Sequence, residues 1–69
     1  MYAPTLSRVA DDVVEVSADG SVLGWLQTVG RVYVALRGRD LRHAEEVGQS
    51  LSRDAALALL RPALTPARR

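Results

Sequence analysis

The 69-residue sequence contains no cysteine, and it also lacks lysine, asparagine, isoleucine and phenylalanine. Without cysteine, disulfides, thiolate metal sites and thiol catalysis are all excluded. The other four residue types have AT-rich codons, so their joint absence indicates a GC-rich genome, and we expect a bacterial source. The same bias explains why all nine basic residues are arginine, so the preference for arginine is not by itself evidence of a ligand.

Long apolar runs are missing as well. The longest, Ala55–Leu60, has six residues, far fewer than the roughly 20 that a membrane-spanning helix needs. The first residues, MYAPTLSRVADD, do not combine a basic start with an apolar run, so no secretory signal is visible. We therefore expect a cytoplasmic protein. Residues 1–69 form one small domain with a limited core, in which 1–10 and 63–69 are expected to be loosely ordered.

A strong excess of positive charge is also absent. The net charge is +1, and four of the eight acidic residues lie within the first twenty positions. A strongly basic domain is the usual electrostatic footprint of nucleic-acid binding. Net charge therefore does not favour that function.

Two short turns organise the first half of the sequence. Asp19-Gly20 lies between two apolar-rich runs, and this predicts a β-hairpin, because a type I′ turn needs positive φ at both central residues. The next break is Val29-Gly30, and a second two-residue turn there adds a third strand. The sequence thus predicts an antiparallel β-meander.

The alternation of side chains assigns each residue of this meander to a face. In the predicted register Trp25 lies opposite Val14 in one neighbour and Val34 in the other. One face then collects seven apolar residues: Val14, Val16, Leu23, Trp25, Val32, Val34 and Leu36. The opposite, mixed face collects Glu15, Ser17, Val22, Gly24, Leu26, Thr28, Arg31, Tyr33, Ala35 and Arg37.

The segment after Gly38 has two interpretations. Asp40 is a good N-cap for a short helix over LRHAEEV, which Gly48 would end. Alternatively, Glu45–Leu51 forms a further strand with Val47 and Leu51 pointing inward.

A helix over SRDAALALLRP is better marked. Ser52 is its N-cap, Asp54 and Arg61 suit its two ends electrostatically, and Pro62 stops it. The predicted class is therefore α+β, an antiparallel three- to four-stranded β-meander packed on one C-terminal α-helix.

This helix is apolar nearly all round. Leu57 and Leu60 mark one apolar face, and Leu59 lies on another. Such a helix favours burial on more than one side, which predicts a homodimer. The alternatives are that Ala63 and Leu64 cover the second face, or that Leu59 is simply exposed.

The stretches GRVYVALRG and SLSRDAALALL resemble the three-stranded-sheet-plus-helix DNA-binding domains of the integrase-arm and Apetala type, over about residues 20–61. In those families the helix packs on one sheet face, and arginines and aromatics on the other enter the major groove. The resemblance implies DNA contacts by the outward residues of GRVYVALR, whereas Trp25 departs from it because the register places Trp25 in the core. With the following loop, the predicted nucleic-acid surface is Arg31, Tyr33, Arg37, Arg39 and Arg42. Taken as two helices, residues 41–60 instead resemble a helix-turn-helix.

The sequence shows little sign of catalysis or metal binding. His43 is the only histidine, and with Asp40 and Glu46 it is typical of a solvated charge cluster, since structural metal sites generally need convergent Cys or His ligands. The glycines form neither a G-x-G-x-x-G nor a P-loop pattern. We expect no enzyme activity, no metal, no cofactor and no small-molecule substrate.

Two functions remain. The first is a small regulatory module that binds DNA through the predicted nucleic-acid surface. The second is a protein-interaction module, a homodimeric adaptor or inhibitor, that acts through exposed apolar side chains. The predicted interface residues are Val22, Leu26 and Leu59.

Overall fold

A computed structural model of the chain describes residues 3–61. The elements are β1 Thr5–Ala10, β2 Val13–Ala18, β3 Ser21–Val29, β4 Val32–Arg37, a 3₁₀ turn Leu41–His43, β5 Glu45–Ser50 and α1 Arg53–Ala58. The strands form one antiparallel sheet in the order β1-β2-β3-β4-β5. The α+β meander is confirmed, with five strands in the described range rather than three or four.

The fifth strand of the sheet comes from the N-terminal region. Thr5–Ala10, which the sequence analysis expected to be loosely ordered, pairs with β2 along its length, with Leu6 opposite Val16. A bulge at Val9 interrupts this ladder before Ala10. The prediction for residues 63–69 falls outside the described residues.

The first turn has the predicted geometry. Asp19 has φ of 53° and Gly20 has φ of 79°, as a type I′ turn requires. Ala18 lies opposite Ser21, so the register next to the turn is the one predicted.

A β-bulge then changes the register between β2 and β3. Leu23 is an extra residue in β3, so Val16 lies opposite Gly24, and Val14 lies opposite Leu26. The predicted partners of Val16 and Val14 are therefore wrong by one residue. Because side chains alternate along a strand, this shift places the two valines on the other face of β3.

The second turn lies one residue later than predicted. Val29 pairs with Val32, and the turn is centred on Gly30 and Arg31. Gly30 has φ of 61°, which suits a glycine at the first central position of a hairpin turn. The partner of each β3 residue in β4 is therefore two positions away from the predicted one. A shift of two keeps side chains on the same face, so Trp25 shares a face with Val34 and Leu36, as predicted.

The two faces of the sheet are therefore composed differently from the prediction. The helix-bearing face carries Leu6, Arg8, Val14, Val16, Gly24, Leu26, Thr28, Tyr33, Ala35 and Arg37, together with Gly48. The open face carries Val13, Glu15, Trp25, Gln27, Val29, Val32, Val34 and Leu36. Of the seven apolar residues predicted to share a face, the two β2 valines lie on the helix-bearing face and four lie on the open face. The seventh, Leu23, is the bulge residue that causes this division.

The segment Glu45–Ser50 is a strand, as the second of the two interpretations predicts. Asp40 caps only the 3₁₀ turn, where its side chain accepts a hydrogen bond from the Arg42 N–H. Val47 is a bulge residue of β5 and is exposed, and Leu51 is 75% exposed. The prediction that Val47 and Leu51 point inward is wrong, because the bulge displaces the one and the other follows the end of the strand.

Helix α1 begins where the sequence predicts. The Ser52 Oγ accepts a hydrogen bond from the Ala55 N–H at 3.3 Å, which satisfies one of the free donors at the helix start. The helix is shorter than predicted and ends at Ala58, after which single turns continue, with the Leu60 N–H donating to the Leu57 carbonyl at 3.0 Å.

Two glycines allow α1 and the turn after it to lie close to the sheet. A Cβ atom at Gly24 would lie 2.9 Å from Leu60 Cδ2, and one at Gly48 would lie 2.6 Å from Leu59 Cδ1. Both distances are too short for real side chains, so Leu59 and Leu60 sit where a Cβ would otherwise be. The core between the sheet and α1 consists of Val16, Leu26, Ala35, Ala56 and Leu60.

Candidate functional site

The residues predicted to contact nucleic acid do not form one surface. Arg31 lies in the turn before β4, whereas Arg39 and Arg42 lie in the loop after it. β4 has six residues, so these two ends are separated by roughly 20 Å at the usual rise of a strand. Tyr33 lies between them on the helix-bearing face, half-buried against the core.

Arg37 has a role in holding the fold together. Its Nη2 donates a hydrogen bond to the Leu59 carbonyl at 2.8 Å. Because Leu59 is the C-cap residue of α1, the guanidinium satisfies a free carbonyl there and places a positive charge at the negative end of the helix. The predicted outward position of Tyr33 and Arg37 on a free sheet face is therefore wrong, since α1 packs on that face.

The residues predicted for a protein interface also separate. Leu26 is only 3% exposed and belongs to the core cluster. The face that carries Leu26 is the one on which α1 packs, and a role for Leu26 in a protein interface stays a prediction. Val22 is half-buried opposite Ser17 in β2, and Leu59, 39% exposed, lies beside Gly48 at the end of the helix.

A groove remains on the helix-bearing face where α1 does not cover it. Helix α1 contacts β4 and β5, and within residues 3–61 the groove lies beside the start of the helix, over parts of β1, β2 and β3. The groove has a volume of about 220 Å³ and is lined by Leu6, Arg8, Val14, Leu26, Thr28, Tyr33 and Arg53. We refer to it as the Arg8–Arg53 groove.

The floor and rim of this groove differ in chemistry. Leu6, Val14 and Leu26 supply aliphatic surface, and Tyr33 supplies an aromatic ring that packs against the core. The Arg8 and Arg53 side chains are exposed, and among the described residues 3–61 they carry the only charges of its lining, with no carboxylate beside them. The result is an apolar depression beside two cations.

The two guanidinium groups have no counter-ion within residues 3–61. Arg53 is the first residue of α1, where a positive charge is unfavourable because the helix dipole is positive at that end. Among the described residues, no carboxylate competes with an acidic group of another molecule for Arg8 and Arg53.

His43 contacts Asp40 within the loop that connects β4 and β5. His43 Nδ1 lies 3.0 Å from Asp40 Oδ2, and both side chains are exposed. The hydrogen bond with His43, and a second from the Arg42 N–H, hold the pKa of Asp40 below its usual value. Glu46 does not join them, and no group of three acidic or histidine side chains suited to a metal ion occurs in the part of the chain that the structure describes.

Helices of membrane-spanning length and hydropathy do not occur between residues 3 and 61. No protein-family model, curated protein or solved structure matches this chain. The resemblance to sheet-plus-helix DNA-binding domains therefore stays a prediction.

Sequence reasoning missed Leu6, Arg8, Thr28 and Arg53 as neighbours. The sequence predicts loose order for residues 1–10, and this prediction leaves Leu6 and Arg8 without a pairing partner in the sheet. Gly24 was the available signal for the register change, because an isolated glycine within a strand often marks a bulge or a close approach of another element. No pattern in the sequence announces the groove itself.

Proposed function

We propose that this chain is a protein-interaction module whose docking site is the Arg8–Arg53 groove. The partner would supply an apolar side chain that enters the groove, with carboxylates next to it that pair with Arg8 and Arg53. The observation that carries the proposal is the meeting of an apolar depression with two arginines that have no counter-ion in the described range.

The size of the groove favours a side chain over a small-molecule ligand. Its volume of about 220 Å³ is below the range of about 300–1,000 Å³ typical of clefts for drug-sized ligands. One leucine- or phenylalanine-sized group fits such a space. Burial of that group would give affinity, and the arginines would give selectivity for acidic neighbours.

A peptide titration tests this function. The probe is the acetylated and amidated heptapeptide Thr-Glu-Thr-Leu-Thr-Glu-Thr, followed by amide chemical shifts of the ¹⁵N-labelled full-length chain. We expect the largest shifts at the residues that line the groove. The same peptide with Lys in place of both Glu should bind at least about tenfold more weakly, because it meets two like charges.

Charge-reversal variants provide the matched control. Arg8→Glu should weaken binding of the acidic peptide by about tenfold or more. Arg31→Glu makes the same charge change in the turn before β4, away from the groove, and should leave binding within about twofold. Equal losses in both variants would mean that only overall charge matters, and absence of binding to the unaltered chain would refute the proposed function.

Two other functions stay predictions. DNA binding through Arg31, Arg39 and Arg42 is checked by titration with duplex DNA, for which log affinity must fall steeply with log salt concentration. Homodimerisation is checked by the mass of the full chain in multi-angle light scattering, with Leu59→Asp as the variant expected to dissociate a dimer.

A further inference from the structure

The two edges of the sheet are protected differently. β5 forms one edge, where Glu45 and Glu46 place two charges and a bulge at Val47 breaks the ladder. Charges and bulges are the devices by which proteins keep other strands from pairing with a sheet edge. Helix α1 also contacts β5, so this edge is poorly suited to a further strand.

β1 forms the other edge and has fewer such devices. All six of its residues are exposed, and it contains no acidic residue and no proline. Its bulge, at Val9, lies near the end of the strand, so Thr5–Arg8 is a regular ladder of four consecutive pairs with β2. Within residues 3–61 no strand pairs with the side of β1 that faces away from β2.

The open edge and the groove adjoin each other. Leu6 and Arg8 belong to β1, and both line the groove. A chain that pairs with β1 would place every second side chain on the helix-bearing face, beside Leu6 and Arg8. The residues between them would point to the open face.

We infer that the partner segment binds in an extended conformation, as a sixth strand along Thr5–Arg8. This inference rests on the proposed function and specifies how the partner is held. Backbone hydrogen bonds with β1 give affinity, and alternate side chains give specificity, as in other cases of strand addition. The segment carries an acidic residue opposite Arg8 and an apolar residue two positions away, opposite Leu6.

Charge complementarity selects a foreign acidic segment over a second copy of this chain. Pairing two copies through β1 would place two positively charged Arg8 side chains at this edge. β1 contains no carboxylate to offset them. An acidic strand supplies the missing charge.

Selective N-methylation of the heptapeptide probe tests the inference. In a paired strand the N–H groups of alternate residues point toward the neighbour, and the others point away. One probe is N-methylated at its three Glu and Leu residues, and a second is N-methylated at its last three Thr residues, which alternate with them. We expect one of the two to bind at least tenfold more weakly and the other to bind within about twofold of the unmodified peptide.

A peptide of the same composition gives an independent test of the face. In Thr-Thr-Glu-Leu-Glu-Thr-Thr both acidic residues move by one position and so would point to the open face, away from Arg8. We expect it to bind about fivefold more weakly than the original probe. Amide hydrogen exchange in β1 should slow when the original probe binds, since edge amides gain partners.

The outcomes separate the inference from the proposed function. If the unmodified peptide binds in the groove but both N-methylated peptides bind equally well or equally poorly, strand addition is wrong and the groove function stands. If the free chain is a dimer that the peptide dissociates, a second copy occupies the edge and the foreign segment is wrong. If the unmodified peptide does not bind, the proposed function itself fails.

Discussion

The helix-bearing face and the open face are built from the same strands but solve different packing problems. On the helix-bearing face small residues let a short helix approach closely, with Gly24 under Leu60 and Gly48 beside Leu59. On the open face Trp25 is almost fully buried without a covering helix, and its indole N–H donates to the Gly38 carbonyl at 3.2 Å. Close packing against another element thus stabilises one face, and a large buried side chain with a hydrogen bond to the backbone stabilises the other.

The comparison also shows what decides the identity of a face. Both faces have enough apolar residues to form a core. The extra residue at Leu23 assigns the β2 valines to the helix-bearing face, and α1 then packs where Val16 and Leu26 meet. A single bulge therefore determines which of two similarly apolar faces packs against the helix.

The largest effect is expected for Gly24→Ala. The new methyl group would meet the Leu36 backbone carbonyl and Leu60 Cδ2, and the carbonyl cannot move without disturbing the sheet. We expect the free energy of unfolding to fall by about 3 kcal/mol, measured by urea denaturation. Gly30→Ala is the control, because Gly30 has a positive φ but open space around it, and it should cost about 1 kcal/mol. A tolerated Gly24→Ala would contradict the close approach of Leu60.

An intermediate effect should distinguish the two faces directly. Val16 is fully buried under the helix, whereas Val34 is half-buried on the open face. Val16→Ala should lower the free energy of unfolding by about 2 kcal/mol, and Val34→Ala by about 1 kcal/mol or less, because only the first leaves a closed cavity. Reversal of this order in urea denaturation would mean that the core lies on the open face after all.

The smallest effect is expected at the loop that borders the open face. The His43 contact keeps the pKa of Asp40 below its usual value, so the charged form stabilises the folded state at neutral pH. This contribution is present above the ordinary aspartate pKa and is lost as the pH falls through the lowered value. Asp40→Asn should therefore lower Tm slightly at pH 7, and the difference should shrink as the pH falls below the ordinary aspartate pKa of about 3.9.

Asp11→Asn is the matched control for that measurement. Asp11 is exposed, and its carboxylate has no hydrogen bond or ion pair in the range 3–61. A Tm difference for Asp40→Asn that persists unchanged to low pH would show that the amide disturbs the 3₁₀ turn sterically, and that charge is not the cause.

Local chemistry made several elements predictable from the sequence. Asp19-Gly20 requires positive φ and forms the expected turn, and the Ser52 hydroxyl caps α1 as expected. Both features depend on residues that are close together in the chain. Such features follow from a few side chains and the backbone conformations they prefer.

The site was less predictable because it depends on register. The residues around Leu23 have no strong conformational preference that would mark a bulge. The bulge nevertheless moves Val14 and Val16 to the other face of the sheet. The pairing of β1 was invisible for a related reason, since the exposed TLSRVA segment has no clear alternation of apolar and polar residues. Arg8 and Arg53 are 45 positions apart in the sequence, and only the meander and the return of α1 bring them to one groove.

Leu60 has a consequence for the order in which the molecule assembles. Every strand pairs with its neighbour in the chain, so the hairpins can form one after another as a nascent chain emerges, with little loop-closure entropy to overcome. The contact of Leu60 with Gly24 spans a much longer stretch of chain and cannot form until the chain has been made through Leu60. Cooperative folding of the whole sheet is therefore expected to wait for one leucine near the end of the described chain.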